Sequence, residues 1–223
     1  MEENRKSKIG LIGKDGSANV LFEESREGTY ITYNRGVEGL TFMPNNDLWY
    51  AFESGSSAGC DDTPYTIFRK MPFNPKLKTG YDFGKKPMEY TYEIDRCSCM
   101  DPTQEFGAVL GNGVSEILAF DENHLLVLER CYNKIEKGSK VKLFLATIDE
   151  KSGKLVKGTT VFDFNDPNNY SGDDLAKLPP DNLEGMTWGP EEVGKRMLYL
   201  VSDDNFNAPQ RTQVFIMSVD SLK

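Results

Sequence analysis

Histidine is almost missing from this chain of 223 residues, since His124 is the only one. A catalytic zinc held by several histidines is therefore excluded within the chain. Basic charge is also short: Lys and Arg number 26 against 35 Asp and Glu, a net charge of −9. That balance argues against nucleic-acid binding, which needs a basic footprint. No apolar run approaches the ~20 residues of a membrane-spanning helix. Met1-Glu2-Glu3-Asn4-Arg5 leads into polar sequence, so no secretion leader is visible. Helical periodicity is nearly absent, with 173–178 the one candidate turn. Cysteine is limited to Cys60, Cys97, Cys99 and Cys131.

What is present is a repeated pair of apolar runs. Asn182-Leu183-Glu184-Gly185-Met186-Thr187-Trp188-Gly189-Pro190 is followed, after a charged loop, by Met197-Leu198-Tyr199-Leu200-Val201-Ser202-Asp203-Asp204-Asn205-Phe206. Runs separated by a Gly-Pro turn read as a β-hairpin. Val37-Glu38-Gly39-Leu40-Thr41-Phe42-Met43-Pro44 and Leu48-Trp49-Tyr50-Ala51-Phe52-Glu53-Ser54 repeat the pattern. Val114-Ser115-Glu116-Ile117-Leu118-Ala119-Phe120 and Leu125-Leu126-Val127-Leu128-Glu129-Arg130 repeat it more loosely. The copies begin at Val37, Val114 and Leu183, 77 and 69 residues apart.

Further strands are expected at 65–71 and 88–94 in the first copy, at 140–148 and 159–164 in the second, and at 212–219 in the third. Lys14-Asp15-Gly16-Ser17 between two apolar runs predicts an N-terminal hairpin. The total is thirteen strands, an all-β chain. Four-stranded hairpin units repeated along a chain point to a β-propeller. One propeller-type domain over 1–223 is expected: 1–36 as the end of a preceding blade, then repeats at 37–113, 114–182 and 183–223. A closed propeller needs about four blades or more. Either a blade is hidden between Met71 and Met88, or the chain is the C-terminal part of a longer propeller, and the second is the reading preferred here.

These residues resemble the phytase-like domain family, described as "esterase-like activity of phytase". The resemblance is carried by Asn182 to Pro190, Leu200-Val201-Ser202-Asp203-Asp204-Asn205-Phe206 and Gln210-Arg211-Thr212. It extends to Arg35-Gly36-Val37-Glu38-Gly39-Leu40-Thr41-Phe42, to Glu53-Ser54 and to Leu126-Val127-Leu128-Glu129-Arg130. It implies a β-propeller, phosphoester or ester hydrolysis, an extracellular or periplasmic location, and family members longer at the N-terminus.

The carboxylates are the candidate chemistry. Unpaired, they are costly to bury, so they belong to a functional rim or to a polar network. Antiparallel pairing sets the start of one strand beside the end of the next, which places Glu38 near Glu53, Glu184 near Asp203, and Glu116 near Glu129. Calcium takes six to eight oxygen ligands. Glu38, Glu53, Glu129, Glu184 and Asp203 are the expected Ca²⁺ ligands, and Glu184, Asp203, Asp204 and Arg211 the expected catalytic groups. Arg130 and Arg211 would clamp a phosphate, with a metal-bound water as nucleophile. The alternative is that each Glu bonds backbone amides between blades, because repetition in every blade suits a structural role.

Weaker signals complete the reading. Asp163-Phe164-Asn165-Asp166-Pro167-Asn168-Asn169 is oxygen-rich but lacks the EF-hand spacing. Gly55-Ser56-Ser57-Ala58-Gly59 matches G-x-S-x-G without the helix such an elbow needs, so a Ser-His-Asp enzyme would require Ser57 to meet His124. Four cysteines suit two disulfides in an exported protein, with a zinc site or free thiols as rivals. Asn169-Tyr170-Ser171 is a glycosylation sequon. The expected function is Ca²⁺-dependent hydrolysis of a small phosphoester or carboxylic ester. The alternatives are a non-catalytic propeller that binds a ligand or protein partner, and a fragment inactive without missing blades.

Overall fold

A computed structural model describes residues 7–24, 36–53, 65–95, 109–133, 138–170 and 178–219. It is all-β. The strands are β1 (Ser7–Ile12), β2 (Ala18–Glu24), β3 (Val37–Phe42), β4 (Leu48–Phe52), β5 (Tyr65–Met71), β6 (Met88–Glu93), β7 (Val109–Ala119), β8 (His124–Asn133), β9 (Gly138–Asp149), β10 (Lys154–Asp163), β11 (Leu183–Trp188), β12 (Arg196–Ser202) and β13 (Val214–Val219). The oxygen-rich loop carries a single 3-10 turn, Pro167–Asn169. Among the described residues no helix is long and apolar enough to cross a membrane.

The strands form successive antiparallel meanders: β1-β2, β3-β4-β5-β6, β7-β8-β9-β10 and β11-β12-β13. Two residue pairs, Lys154 with Thr91 and Leu155 with Tyr92, join β10 to β6 in parallel. They merge the second and third meanders into one eight-stranded sheet. The inner strands stack in sequence, β3 against β7 and β7 against β11. This is a propeller-like arrangement. Residues 72–87 form turns and no strand, so no blade is hidden there. The candidate turn at 173–178 falls almost wholly outside the described residues, as do Ser57, Cys60, Cys97 and Cys99. Cys131 is buried on β8.

Packing explains the sequence pattern. A strand buried on both faces reads as a continuous apolar run. All five residues of β4 are buried. Leu48, Tyr50 and Phe52 face a layer shared with Ile9 and Phe22 of the N-terminal hairpin. Trp49 and Ala51 face the next meander, packing with Val114, Ile117, Leu125 and Val127. Strand β8 does the same one step on, turning Leu126 and Leu128 to Leu183, Leu198 and Leu200.

Each inner strand carries an extra residue at the same place. Val37 pairs with Phe52 but Gly39 pairs with Ala51, so Glu38 is extra. Leu183 pairs with Ser202 and Gly185 with Val201, which makes Glu184 extra. In β7, Val114 pairs with Glu129 and Glu116 with Leu128, leaving Ser115 in that position. Such bulges re-aim side chains and gather near functional sites.

The inner strands also touch closely. A Cβ on Gly39 would lie 2.7 Å from the Ile117 backbone nitrogen, whereas one on Gly185 would meet only a Val201 methyl at 2.8 Å. Backbone cannot yield as an exposed Val rotamer can. Gly39→Ala should therefore cost about 1–3 kcal/mol, as overpacking does, and Gly185→Ala distinctly less. Urea unfolding of the two variants checks the order; equal losses would contradict the strand contact.

Candidate active site

The bulges deliver side chains to one end of the inner strands. Glu38 opens β3, Glu53 follows β4, Arg130 lies on β8 and Glu184 opens β11. Burial is the largest cause raising the Glu38 carboxyl to about 7, followed by repulsion from Glu53 and Glu184; Arg130 opposes it. Water still reaches Glu38 as a residue, which limits the desolvation part, but the two like charges act in the same direction. Three carboxylates and one guanidinium thus share one electrostatic neighbourhood, left with excess negative charge.

Arg130 is held in place. Its Nη2 donates to Glu184 Oε1 at 3.2 Å and its Nη1 donates to Asn182 Oδ1. Asn182 is 4% exposed and donates from Nδ2 to Glu184 Oε1 at 2.6 Å. Its carbonyl accepts the Asp203 N–H at 2.9 Å. Among the described residues the buried Arg130 Nε has no hydrogen-bond partner.

Asp203, Asp204 and Arg211, also expected site residues, lie on the loop between β12 and β13. Asp203 is exposed and its Oδ1 accepts the Asn205 N–H at 3.1 Å. Asp204 accepts the Phe206 N–H at 2.9 Å and the Thr212 hydroxyl at 3.2 Å, which ties a loop. Arg211 is exposed, and its N–H donates to Asp181 Oδ2 at 2.8 Å. His124 Nδ1 lies 2.8 and 2.9 Å from the two Asp121 oxygens.

Glu129 lies in a different network. It is 2% exposed and accepts from the Tyr92 hydroxyl (2.7 Å), the Asp95 N–H (2.8 Å) and Asn112 Nδ2 (2.7 Å). Lys157 Nζ is 2.5 Å away and also pairs with Asp95 at 2.9 Å. Burial raises the Glu129 carboxyl while Lys157 opposes it. A cavity of about 790 Å³ between β6 and β10 borders this network. Lys157 there is already engaged by Asp95 and Glu129, so the cavity is not the candidate site.

Glu116 ties the blades together. Its Oε1 accepts the N–H of Ile117 at 2.9 Å and of Leu40 at 3.3 Å, and the Met186 backbone also bonds it. One carboxyl thus joins β3, β7 and β11. Burial raises it to about 7 against these donors, with Glu38 adding repulsion. Sequence reasoning set Glu116 beside Glu129 and missed Asn182 as the group orienting Arg130. The Asn182-x-Glu184 spacing, two residues on one side of a strand start, was the available signal.

Among the described residues, no three Asp, Glu, His or Cys side chains gather closely enough to hold a metal ion.

Two expectations follow. Glu129→Ala strips partners from the half-buried Lys157, the buried Tyr92 hydroxyl and the half-buried Asn112 amide, and should lower the unfolding free energy by about 3–5 kcal/mol; a loss under ~1 kcal/mol in urea would show the network is dispensable. Glu116, raised in the folded state, keeps its proton to about 7, whereas the unfolded chain releases it near the ordinary value. Folding then binds the extra proton, so this residue's contribution falls as pH climbs from ~5 to ~8. Melting across that range should show Glu116→Gln gaining on the parent as pH rises; a constant gap would contradict the shift.

No curated protein and no solved structure matched the chain. The family model "Phytase-like: Esterase-like activity of phytase" matches residues 11–206. The match spans most of the sequence and every strand from β3 to β12, so the chain belongs to the phytase-like family.

Proposed function

We propose that the chain hydrolyses a small phosphoester or carboxylic ester where Glu38, Glu53, Glu184 and Arg130 converge. The family supports a phytase- or esterase-like function in general. The observation that carries the site is the shared field of three carboxylates around one anchored guanidinium. Their donors are all oxygen and their negative charge exceeds the single Arg⁺, which suits a hard cation such as Ca²⁺. Glu38, Glu53 and Glu184 stand too far apart in this arrangement to form a three-carboxylate ion site, so Ca²⁺ would have to draw them together, with Asp203 at the rim. Glu129 is assigned to blade structure instead, because Lys157 already neutralises it. Bound Ca²⁺ would supply polarisation of the ester oxygen and acidification of water.

The chain's own residues do the rest. Arg130, oriented by Asn182 and Glu184, binds an anionic oxygen of the ester and stabilises charge developing there. Asp203, exposed beside Asn182, accepts the proton from the attacking water. Arg211 and Asp204, on the same loop, contact the substrate and shape that loop respectively. A second reading, a non-catalytic ligand-binding propeller, draws support from Glu116, whose carboxyl bonds backbone amides between blades.

Millimolar Ca²⁺ should raise the melting temperature relative to EDTA, since a ligand of the folded state stabilises it by mass action. Glu184→Gln should abolish most of that rise. Hydrolysis of p-nitrophenyl phosphate or p-nitrophenyl acetate should need Ca²⁺ and fall by roughly 10²-fold or more in Arg130→Ala, as when one preorganised donor is removed. A cooperative melt indifferent to Ca²⁺, with neither ester cleaved, would favour the ligand-binding reading.

A further inference from the structure

The connection between β5 and β6 is longer than the fold requires. It runs over 72–87, sixteen residues, where the next meander joins β9 to β10 with the four residues 150–153. Its composition also departs from the rest of the chain. It carries Lys76, Lys78, Lys85 and Lys86 against Asp82 alone, within a protein of net charge −9. All four lysines are exposed. A basic segment on an acidic protein sets up a local positive field, which draws anions.

This connection borders a cavity of about 450 Å³, inside the range of small-molecule sites. Met71, Phe73, Pro87 and Met88 give it apolar lining, and Lys85 and Lys86 give it charge. Met71 and Pro87 are buried, but Phe73 is 38% and Met88 45% exposed. Water therefore meets apolar surface here, and an apolar group that displaced it would be favoured. Methionine side chains adapt to irregular shapes, which suits a flexible alkyl chain.

The lining is held in place by the loop itself. The Phe73 N–H donates to Asp47 Oδ1 at 2.8 Å, and the Asn74 N–H donates to the Gly80 carbonyl at 2.7 Å. Gly80 has φ +82°, and a Cβ there would lie 2.6 Å from the Phe73 ring, so the ring rests against this glycine. Tyr81 packs edge-on to Phe73, centroids 5.8 Å apart, and its hydroxyl donates to the Asn46 carbonyl at 2.8 Å. The Lys85 N–H bonds the Asp82 carbonyl at 3.1 Å and the Gly84 N–H bonds Asp82 Oδ1 at 3.2 Å. That turn sets Lys85 and Lys86 together beside the cavity.

The two ammonium groups are available to an anion. Lys85 pairs with Asp82 at 3.2 Å and Lys86 with Glu89 at 2.7 Å, the lysine side chains being 81% and 78% exposed. Exposed ion pairs contribute little to stability, so a carboxylate can take over either lysine at small cost. The larger cavity between β6 and β10 differs in this respect. Its Lys157 pairs with the buried Glu129, and withdrawing it would strand a buried carboxylate. The smaller cavity also stands apart from the candidate active site. Met71 pairs with Leu48 at one end of β4, and Glu53 follows the other end, roughly 16 Å along the strand.

We propose that this cavity binds a small amphipathic carboxylate, its alkyl chain against Met71, Phe73 and Met88 and its carboxylate on Lys85 and Lys86. Binding there does not depend on ester hydrolysis.

Calorimetric titration of the whole chain with sodium octanoate, below its micelle-forming concentration, tests this. Octanoate should bind the parent. Lys85→Gln/Lys86→Gln should weaken it by roughly tenfold or more, the size of a lost charge-assisted hydrogen bond. 1-Octanol, which lacks the charge, should bind the parent and this variant alike, and the parent less tightly than octanoate does. Met88→Ala should weaken octanoate by roughly threefold to tenfold through lost apolar contact. Both variants should melt with the parent, since the replaced side chains are exposed. Lys154→Gln, at the larger cavity, should bind octanoate as the parent does.

Equal octanoate binding by the parent and Lys85→Gln/Lys86→Gln overturns the proposal. So does loss of binding in Lys154→Gln, or equal affinity of the parent for octanoate and 1-octanol. Association with phosphatidylserine vesicles that needs Lys85 and Lys86, in a chain that binds no octanoate, overturns it in favour of a lipid surface.

Discussion

The contact between inner strands is the constraint on which the rest depends. Strand β3 approaches β7 so closely that Gly39 has no room for a side chain against the Ile117 nitrogen. Glu116 crosses the same seam, accepting the Leu40 N–H and bonding the Met186 backbone. Inner strands belong to different meanders and share no ladder hydrogen bonds, so something must satisfy amides at the seam. A carboxylate does it here and retains a raised proton affinity because it is desolvated.

That seam also positions the candidate site. The bulges at Glu38, Ser115 and Glu184 fall at the same step of each inner strand. Two of them point carboxylates to one end, and Ser115 replaces the third. Arg130 arrives from β8, at the position where the second meander places Glu53 at the end of β4. A guanidinium in place of a further carboxylate makes the middle blade the positive one. The outcome is an asymmetric centre from a near-symmetric repeat, and one site needs such asymmetry.

Like residues in the repeat consequently have unlike fates. Glu129 and Glu53 both close the outer strand of a hairpin in sequence. Glu53 enters the field of Glu38. Glu129 turns between meanders to Lys157, Tyr92 and the Asp95 amide. The step is one residue: Glu129 pairs with Val114, whereas Phe52, just before Glu53, pairs with Val37. In a strand a one-residue step reverses the face a side chain presents.

The amino-acid sequence alone determined the strands, their hairpin pairing and the family. Alternation, Asp-Gly and Gly-Pro turns and doubly apolar runs such as Leu48 to Phe52 are local signals with local causes. It also marked Glu38 and Glu184 as equivalent. Only the tertiary structure decided which carboxylates meet. Bulge positions, the β3-β7-β11 seam and the brief parallel junction of β6 with β10 are long-range. They separate Glu129 from Glu184 and bring Asn182 onto Arg130, because charge and apolar surface act through space and not along the chain.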